Sequence, residues 1–200
     1  MANSRKFVAK TRDISLTVKR ADSFNISYVN CEKGKFILEE DQNAIRLIQT
    51  EKISPFYRLQ WLSKGSPEVI VTLPENIDIC EIEAESNQVI ITNIKTDKIY
   101  AEVQNGKLEA RNVEANDFFL KCLNGSTVAK HVEVANVCTV ETINDASVLE
   151  GLITKDAGLK VVCENGITEI SDKNKANLGY KSDECAHYVV HCLNGKAVVK

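Results

Sequence analysis

Several features that would indicate a particular function are missing from this sequence of 200 residues. No stretch approaches the ~18 to 20 consecutive apolar residues that a membrane-spanning helix needs. The first ten residues, MANSRKFVAK, contain no apolar run that could form the core of a signal peptide. We therefore expect a soluble chain with no direct membrane span, cytoplasmic as given. If the chain is excised from a longer exported protein, we expect it at the cell envelope instead.

Charge of one sign is not concentrated anywhere in the sequence. Lys and Arg number 25 and Asp and Glu number 28, which gives a formal net charge of −3. A surface that follows nucleic acid phosphates needs clustered Lys and Arg, and no such block rises above the local mixture of charges. A nucleic acid partner is therefore not expected.

The cysteines form neither a CxxC pair nor a tight framework, and their number is odd. Most of them lie within apolar runs such as LKCLNG and VVCENG. Free cysteine behaves as a small hydrophobic residue in a protein core, so we expect reduced and buried thiols. The seven are Cys31, Cys80, Cys122, Cys138, Cys163, Cys185 and Cys192.

Motifs of known enzyme chemistry are missing as well. The sequence has no glycine-rich phosphate loop, no HExxH, no GxSxG and no dinucleotide fingerprint after a strand. His131 lies on a predicted outward edge, but no motif places a cysteine beside it to form a nucleophile pair. We expect no catalytic residue, no cofactor and no enzyme activity.

One short stretch, CAHYVVHC, has the residue types of a metal site: Cys185, His187, His191 and Cys192. On an extended strand Cys192 points to the opposite face from the other three, and His187 and His191 lie ~13 Å apart. Zinc needs ligand atoms ~2.0 to 2.3 Å from one point, so this stretch would have to bend to bind it. We expect surface histidines beside a core cysteine, and no metal ligand.

A repeat is the dominant pattern in the sequence. Asparagine recurs in a similar context at spacings of 18, 19, 20, 21 and 29 residues. Positions two, four and six residues before it are apolar or small in successive repeats, while the interleaved positions are mixed, as on a strand with one buried face. The recurring residues are Asn87, Asn105, Asn124, Asn144, Asn165 and Asn194.

The columns begin at Asn105. Two residues before each Asn stand Val103, Cys122, Thr142, Cys163 and Cys192; four before stand Ala101, Leu120, Val140, Val161 and Val190; six before stand Ile99, Phe118, Cys138, Leu159 and Tyr188. A second strand follows each Asn, with smaller residues three and five positions on, such as Leu108 and Ala110, or Thr168 and Ile170. Asn-Gly between the two strands supplies the backbone with positive φ that a tight turn needs.

Two folds compete for this pattern: an antiparallel meander of hairpins, and a solenoid in which each repeat stacks on the last. Like residues at like positions lie side by side only when repeats stack in parallel, which favours the solenoid. We therefore predict an all-β, single-stranded β-helix-like solenoid with coils of about 18–21 residues and two strands per coil.

The chain is predicted to be one continuous β unit spanning residues 1–200. Short alternating runs over 12–83, among them Ile14 to Val18 and Val69 to Leu73, predict further short strands before the solenoid. The solenoid itself is predicted over 84–200, with an inserted surface loop at about 171–187 and the last coil at the chain end. No linker-like stretch divides the two regions.

Some apolar residues fall on the side of the predicted strands that faces water. We expect them to be covered by the inserted loop, by the N-terminal strands or by another chain. They are Phe119, Leu123, Ile143, Val162, Val189 and Leu193.

The order of motifs resembles a known family. ISLTVKRADSFNISYVN, then EVIVTLPENIDICEIEAESNQVIITNI, then repeats with NG turns resemble the bacterial adhesin-like family, a domain of unknown function built from tandem β-strand repeats. The resemblance spans residues 12–199, and its most telling element is the VTLP step before the coils. It implies a β-helix-like fold and a role at the cell envelope, and it supplies no catalytic residues.

Three functions are consistent with the sequence. The first is a non-enzymatic scaffold that binds an unidentified protein or glycan. The second is a self-assembling protein that forms homo-oligomers through its terminal coils or outward apolar residues. The third is a carbohydrate-active enzyme that uses outward carboxylates, for which the candidates are Glu102, Glu109, Glu133, Glu141 and Glu169.

Overall fold

The computed structural model describes residues 4–53, 65–151, 157–178 and 187–200, and confirms the all-β prediction. The strands are β1 (Lys6–Thr11), β2 (Ser15–Arg20), β3 (Asn25–Val29), β4 (Phe36–Glu40), β5 (Ala44–Gln49), β6 (Glu68–Leu73), β7 (Ile79–Glu150), β8 (Gly158–Ile170) and β9 (His187–Val199). Two short 3-10 turns, Lys33–Lys35 and Asp172–Asn177, connect them. Within the described ranges, no helix has the length and apolarity to cross a membrane.

Side chains alternate between the interior and the surface along the strands, because successive side chains of a strand point to opposite faces. Leu120, Val140 and Val190 are fully buried, as are Val103 and Cys192. The predicted inward columns are less buried in β8, where Val161, Cys163 and Ile170 are only partly covered and Thr168 is exposed. β8 is therefore less covered than the strands before it.

The long β7 changes direction at residues with left-handed backbone. Asn93 (φ 53°), Asn112 (φ 52°) and His131 (φ 50°) recur every 19 residues, and Gly106 (φ 144°) and Gly125 (φ 131°) form a second series. Asn and Gly tolerate positive φ best, which explains why the recurring corners use them. A 72-residue strand can thus curl instead of running straight.

Amide side chains connect successive repeats into ladders. Asn124 donates to the Oδ1 of Asn105 (3.0 Å), Asn144 to Asn124 (2.8 Å) and Asn194 to Asn144 (2.9 Å). Asn165 continues the ladder by donating to Asn194 (3.1 Å). Asn87 does not belong to this ladder: it has positive φ (75°), and its carbonyl lies against Gly106. The first repeat is therefore one residue out of step with the sequence alignment, and the position of Asn105 is taken there by Ser86.

The last two strands do not stack in chain order, contrary to the prediction that the last coil lies at the chain end. β9 pairs in parallel with both of its neighbours. Its Val190 lies opposite Val140 of β7 on one side and opposite Val161 of β8 on the other. The C-terminal strand is thus inserted between β7 and β8, and β8 is the outermost strand. Of the predicted loop at 171–187, the structure describes 171–178, including the 3-10 turn, and His187; 179–186 lie outside the described residues.

The N-terminal strands join the same sheet. β1 and β2 pair in parallel with β7 on one side, and with β5 and β6, respectively, on the other. β3 and β4 then pair antiparallel with β6 and β5 at the outer edge. The sheet order is β3-β6-β2-β7-β1-β5-β4, with β9 and β8 attached through β7.

Buried contacts hold this N-terminal end together. One hydrophobic cluster extends from Phe7 to Val199. At the corner between β1 and β2, the buried carboxylate of Asp13 accepts hydrogen bonds from Gln49 Nε2 (2.6 Å) and from the backbone N–H of Ile53 (2.9 Å). A buried carboxylate needs such donors, and they fasten the corner to the end of β5.

Candidate binding surface

One side of the sheet presents apolar and charged side chains in rows that run across successive repeats. We call it the outer face, and its rows are formed by Tyr100, Glu102, Phe119, Lys121, Leu123, Thr139, Glu141, Ile143, Val189, His191 and Leu193. All of these side chains are partly exposed. They alternate with the fully buried inward columns, so the periodicity of the strands fixes their direction.

An aromatic pair lies at one end of the outer face. The rings of Tyr100 and Phe119 are parallel to within 4° and their centroids are 5.1 Å apart. The Tyr100 hydroxyl donates to Glu102 Oε2 (2.8 Å). Burial, and then this hydrogen bond to a carboxylate, raise the pKa of Tyr100 to about 12. The pair is a rigid apolar block with a protonated polar tip at neutral pH.

An aliphatic row lies beside it. Leu123, Ile143 and Leu193 directly precede Asn124, Asn144 and Asn194, whose amides are hydrogen-bonded in series. Neighbouring strands are about 4.8 Å apart, so the three side chains touch their neighbours in the row. This mutual packing explains why they are half-buried, although they point outward.

Charges of both signs separate the aromatic pair from the aliphatic row. Lys121 lies 3.6 Å from Glu141, and His191 Nε2 lies 3.1 Å from Glu164 Oε1. The outer face therefore carries no field of a single sign. A mixed apolar and charged surface of this kind is typical of contacts between proteins.

The residues of the metal-like stretch do not converge in the described part of the chain. His187 and His191 lie on the partly exposed side of β9, whereas Cys192 is buried and its Sγ lies 3.1 Å from the carbonyl of Asp145. Across the described ranges, no three His, Cys, Asp or Glu side chains come together as metal ligands would. Cys185 lies outside the described residues.

Three buried thiols do not have the properties of nucleophiles. Burial raises the pKa of Cys80 to about 12 and the pKa of Cys122 to about 11, and it raises the pKa of Cys138 further. A thiolate is the reactive form, and it is scarce at neutral pH at such sites. His131 occupies an exposed corner in series with Asn93 and Asn112, where its left-handed backbone accounts for its position.

One of the five candidate carboxylates is not where the sequence placed it. Glu109 was expected to face solvent, but its side chain is only 1% exposed and lies between Arg111 (2.6 Å) and Lys107 (3.0 Å). Burial alone would raise the pKa of Glu109, but the hydrogen bonds and charges of Arg111 and Lys107 hold it below its ordinary value. A carboxylate engaged by two cations is poorly suited to accept a proton from a substrate.

The other carboxylates are spread over the surface. Glu141 and Glu169 are ion-paired with Lys121 (3.6 Å) and Lys196 (2.6 Å), and Glu102 accepts the hydroxyl of Tyr100. Glu133 borders a shallow groove of about 660 Å³ that also contains Lys95 and Glu114, which are 2.6 Å apart. The lining of this groove has five carboxylates and two basic side chains, so the groove is net acidic.

The sequence pattern indicates six apolar residues on outward positions but does not single out Tyr100. The signal was present, because Tyr100 and Phe119 are 19 residues apart, as are Asn105 and Asn124. The six predicted residues are all partly buried. Part of that burial comes from neighbouring repeats, a source that the sequence analysis had not considered.

Comparison with known proteins places this geometry in a family. The Toastrack DUF4097 model matches residues 6–182. The chain belongs to the Toastrack family. A proposed cell adhesion protein from Clostridium sporogenes is 13% identical, with a TM-score of 0.50 over 99% of this chain and 93% of that one. A proposed adhesin from Bacteroides fragilis is 9% identical, with a TM-score of 0.41 over 98% and 93%.

These matches confirm the resemblance to adhesin-like domains that the sequence indicated. Among curated proteins, no match is found. The structural likeness to the Clostridium protein is one of fold. The chain described here is thus an all-β Toastrack domain that is similar in fold to a proposed cell adhesion protein.

Proposed function

We propose that this Toastrack domain is a non-enzymatic β-solenoid that binds a protein partner on its outer face. The solenoid interpretation is supported by the amide ladders, which connect repeats 19 or 20 residues apart from Asn105 to Asn144. It is also supported by the parallel register of β7, β9 and β8. In such a scaffold, the side chains between the inward columns form a regular and rigid surface.

The observation that carries the proposal is the combination of the Tyr100–Phe119 stack with the aliphatic row of Leu123, Ile143 and Leu193. Aromatic and aliphatic side chains held in fixed positions lose little conformational entropy on binding. Mixed charges around Lys121 and Glu141 can align a partner without attracting polyanions. Exposed apolar clusters bordered by polar and charged side chains are a recurrent feature of protein interaction sites.

A protein ligand fits this surface better than a glycan does. A sugar ring usually packs on the open face of an aromatic ring. Each ring of the Tyr100–Phe119 pair has one face covered by the other ring, because the two are stacked within 4° of parallel. At most one face of each ring is left for a sugar ring to pack on, whereas the ring edges and the aliphatic row also match apolar side chains of a protein.

Site-specific photo-cross-linking tests this proposal. A photoreactive phenylalanine analogue at position 119 is expected to form defined adducts with a protein partner in cells of the source organism. The control is the same analogue at Val148, which is also a partly exposed strand residue and lies outside the outer face. The Val148 variant is expected to form no such adduct.

A matched pair of substitutions completes the experiment. With the analogue at position 119, Ile143→Asp is expected to reduce the adduct yield about tenfold, because it places a charge in the middle of the aliphatic row. Lys98→Asp, at an exposed position outside the row, is expected to leave the yield unchanged. Equal adduct yields from positions 119 and 148, or a yield insensitive to Ile143→Asp, would mean that the outer face is not the binding site.

A further inference from the structure

Both ends of the stack of strands have edges that are unpaired within the described ranges. At one end, β3 pairs only with β6, and β4 pairs only with β5. At the other end, β8 pairs with β9, and its outer edge meets only Leu178, opposite Leu159. Strand edges are templates for pairing with another chain.

Exposed large apolar side chains are concentrated at these two ends. Ile167 in β8 is 60% exposed and Leu178 next to β8 is 45% exposed. At the opposite end, Val29 in β3 and Ile37 and Leu38 in β4 are exposed by 38%, 46% and 41%. Natural proteins usually protect exposed strand edges with charges, prolines or bulges, and these edges carry exposed apolar residues beside their charged ones.

We propose that the two ends bind each other, so that β8 of one copy of this chain pairs with β4 and β3 of the next copy. This inference is independent of the outer face and of its partner. The contact uses two different surfaces of each chain, so it is heterologous and repeats from copy to copy. The product is a linear assembly.

The free edges of β4 and of the first half of β8 lie at opposite ends of the same column of strands. The first half of β8 pairs with residues 187–192 of β9, and these pair with residues 137–142 of β7. This register continues the column of strands that begins at residues 79–84 of β7. The same 79–84 segment pairs with β1, β1 pairs with β5, and β5 pairs with β4. β4 and the first half of β8 are therefore the two ends of one column of strands.

Direction and alternation fix how these strands would pair. β4 runs antiparallel to β5, so it would also run antiparallel to β8 of the adjoining copy. Ile37 and Glu39 lie opposite the outward Ile48 and Arg46, which makes them outward as well. The outward residues at the free edge of β8 are Lys160 and Val162.

One register of β8 and β4 places opposite charges across from each other and also pairs apolar residues. With Lys160 opposite Glu39, Val162 falls opposite Ile37 and the inward Val161 falls opposite Leu38. This pairing uses the edge of β8 that follows Leu159, because Leu178 already lies opposite Leu159. Shifting the strands by two residues in one direction would place Lys160 opposite Ile37 and lose the ion pair. Shifting them in the other direction would place Val162 opposite Glu39 and lose the apolar pair. Opposite charges and aliphatic pairs across strands each favour pairing, whereas like charges oppose it.

The second half of β8 would pair with β3 in the same way. β3 runs antiparallel to β6, with Ile26 and Tyr28 opposite the buried Val71 and Val69. Placing Ile170 opposite Ile26 brings Thr168 opposite Tyr28 and Ile167 opposite Val29. The most exposed apolar residue of one end would thus be covered by an exposed apolar residue of the other end.

Sedimentation velocity over a concentration series in reducing buffer tests the proposal. The wild-type chain is expected to form species beyond twice the 22.2 kDa chain mass as concentration rises. Lys160→Glu is expected to require about tenfold higher concentration for the same assembly, because it replaces an attractive pair by a repulsive one. The double variant Lys160→Glu/Glu39→Lys restores opposite charges and is expected to assemble like the wild type.

Lys98→Glu is the matched control, since it makes the same change of charge at an exposed residue between the ends. If Lys160→Glu lowers the melting temperature, Ile167→Lys provides a second test at the same edge. A wild-type chain that stays monomeric at all concentrations overturns the proposal. Assembly that stops at dimers and is unaffected by Glu39→Lys also overturns it, because pairing of β8 with β8 would then be the contact.

Discussion

At the scale of single residues, the corners of the repeats depend on close approach between backbones. A Cβ atom on Gly106 would overlap the carbonyl oxygen of Asn87, and one on Gly125 would overlap the carbonyl oxygen of Gly106. Both glycines also have φ values in the positive region. The recurring NG pairs are therefore needed for two separate reasons, backbone conformation and the close approach of neighbouring backbones.

Gly125→Ala is expected to lower the free energy of unfolding by at least about 2 kcal/mol, because positive φ and overlap with Gly106 both penalise a methyl group. Gly34→Ala is the control, since Gly34 has no atom within 4 Å of an added Cβ and no positive φ. Urea unfolding followed by circular dichroism measures both variants. An equal effect of the two substitutions would show that the corner is not tightly stacked.

At the scale of elements, the ends of the sheet do not follow chain order. β9 lies between β7 and β8. At the other end, β1 lies between β7 and β5, and β2 lies between β7 and β6. Asn174 fastens the C-terminal end: its Nδ2 donates to the carbonyl oxygens of Gly151 (3.3 Å) and Lys200 (3.4 Å). The extra residues between β8 and β9 allow the chain to return and insert its last strand.

Engineered disulfides test this order. Cysteines at positions 139 and 189, which are paired in register, are expected to cross-link, since Cα atoms of paired strands are about 5 Å apart. Cysteines at positions 139 and 160 are expected to stay reduced, because β9 separates them by about 10 Å. Peptide mapping by mass spectrometry identifies the bonds. Cross-linking of 139 with 160 but not with 189 would establish stacking in chain order.

At the scale of the whole molecule, stability depends on one continuous hydrophobic column. Its cluster includes residues from Phe36 in β4 at one end to Leu159 in β8 at the other. Each repeat buries its inward side chains against the repeats on either side, so no repeat has a core of its own. A charge placed inside the column is therefore expected to destabilise the neighbouring repeats as well as its own.

Leu120→Asp is expected to abolish cooperative thermal unfolding, because Leu120 is fully buried and an unpaired carboxylate there costs more than about 4 kcal/mol. Val137→Asp, at a residue that is 44% exposed, is the matched control and is expected to melt like the wild type. Differential scanning calorimetry measures both. A Leu120→Asp variant that still melts cooperatively would show that position 120 does not face the core.

The sequence by itself determined the all-β class, the inward columns through Leu120 and Val140, and the positive-φ corners at the glycines that follow Asn105 and Asn124. These follow from local rules: alternation along a strand and the preference of Asn and Gly for positive φ. It could not give the order of β8 and β9, the burial of Glu109 between Arg111 and Lys107, or the parallel pairing of β1 with β5. Those depend on contacts between residues far apart in the chain, and only the tertiary structure decides which of several compatible strands become neighbours.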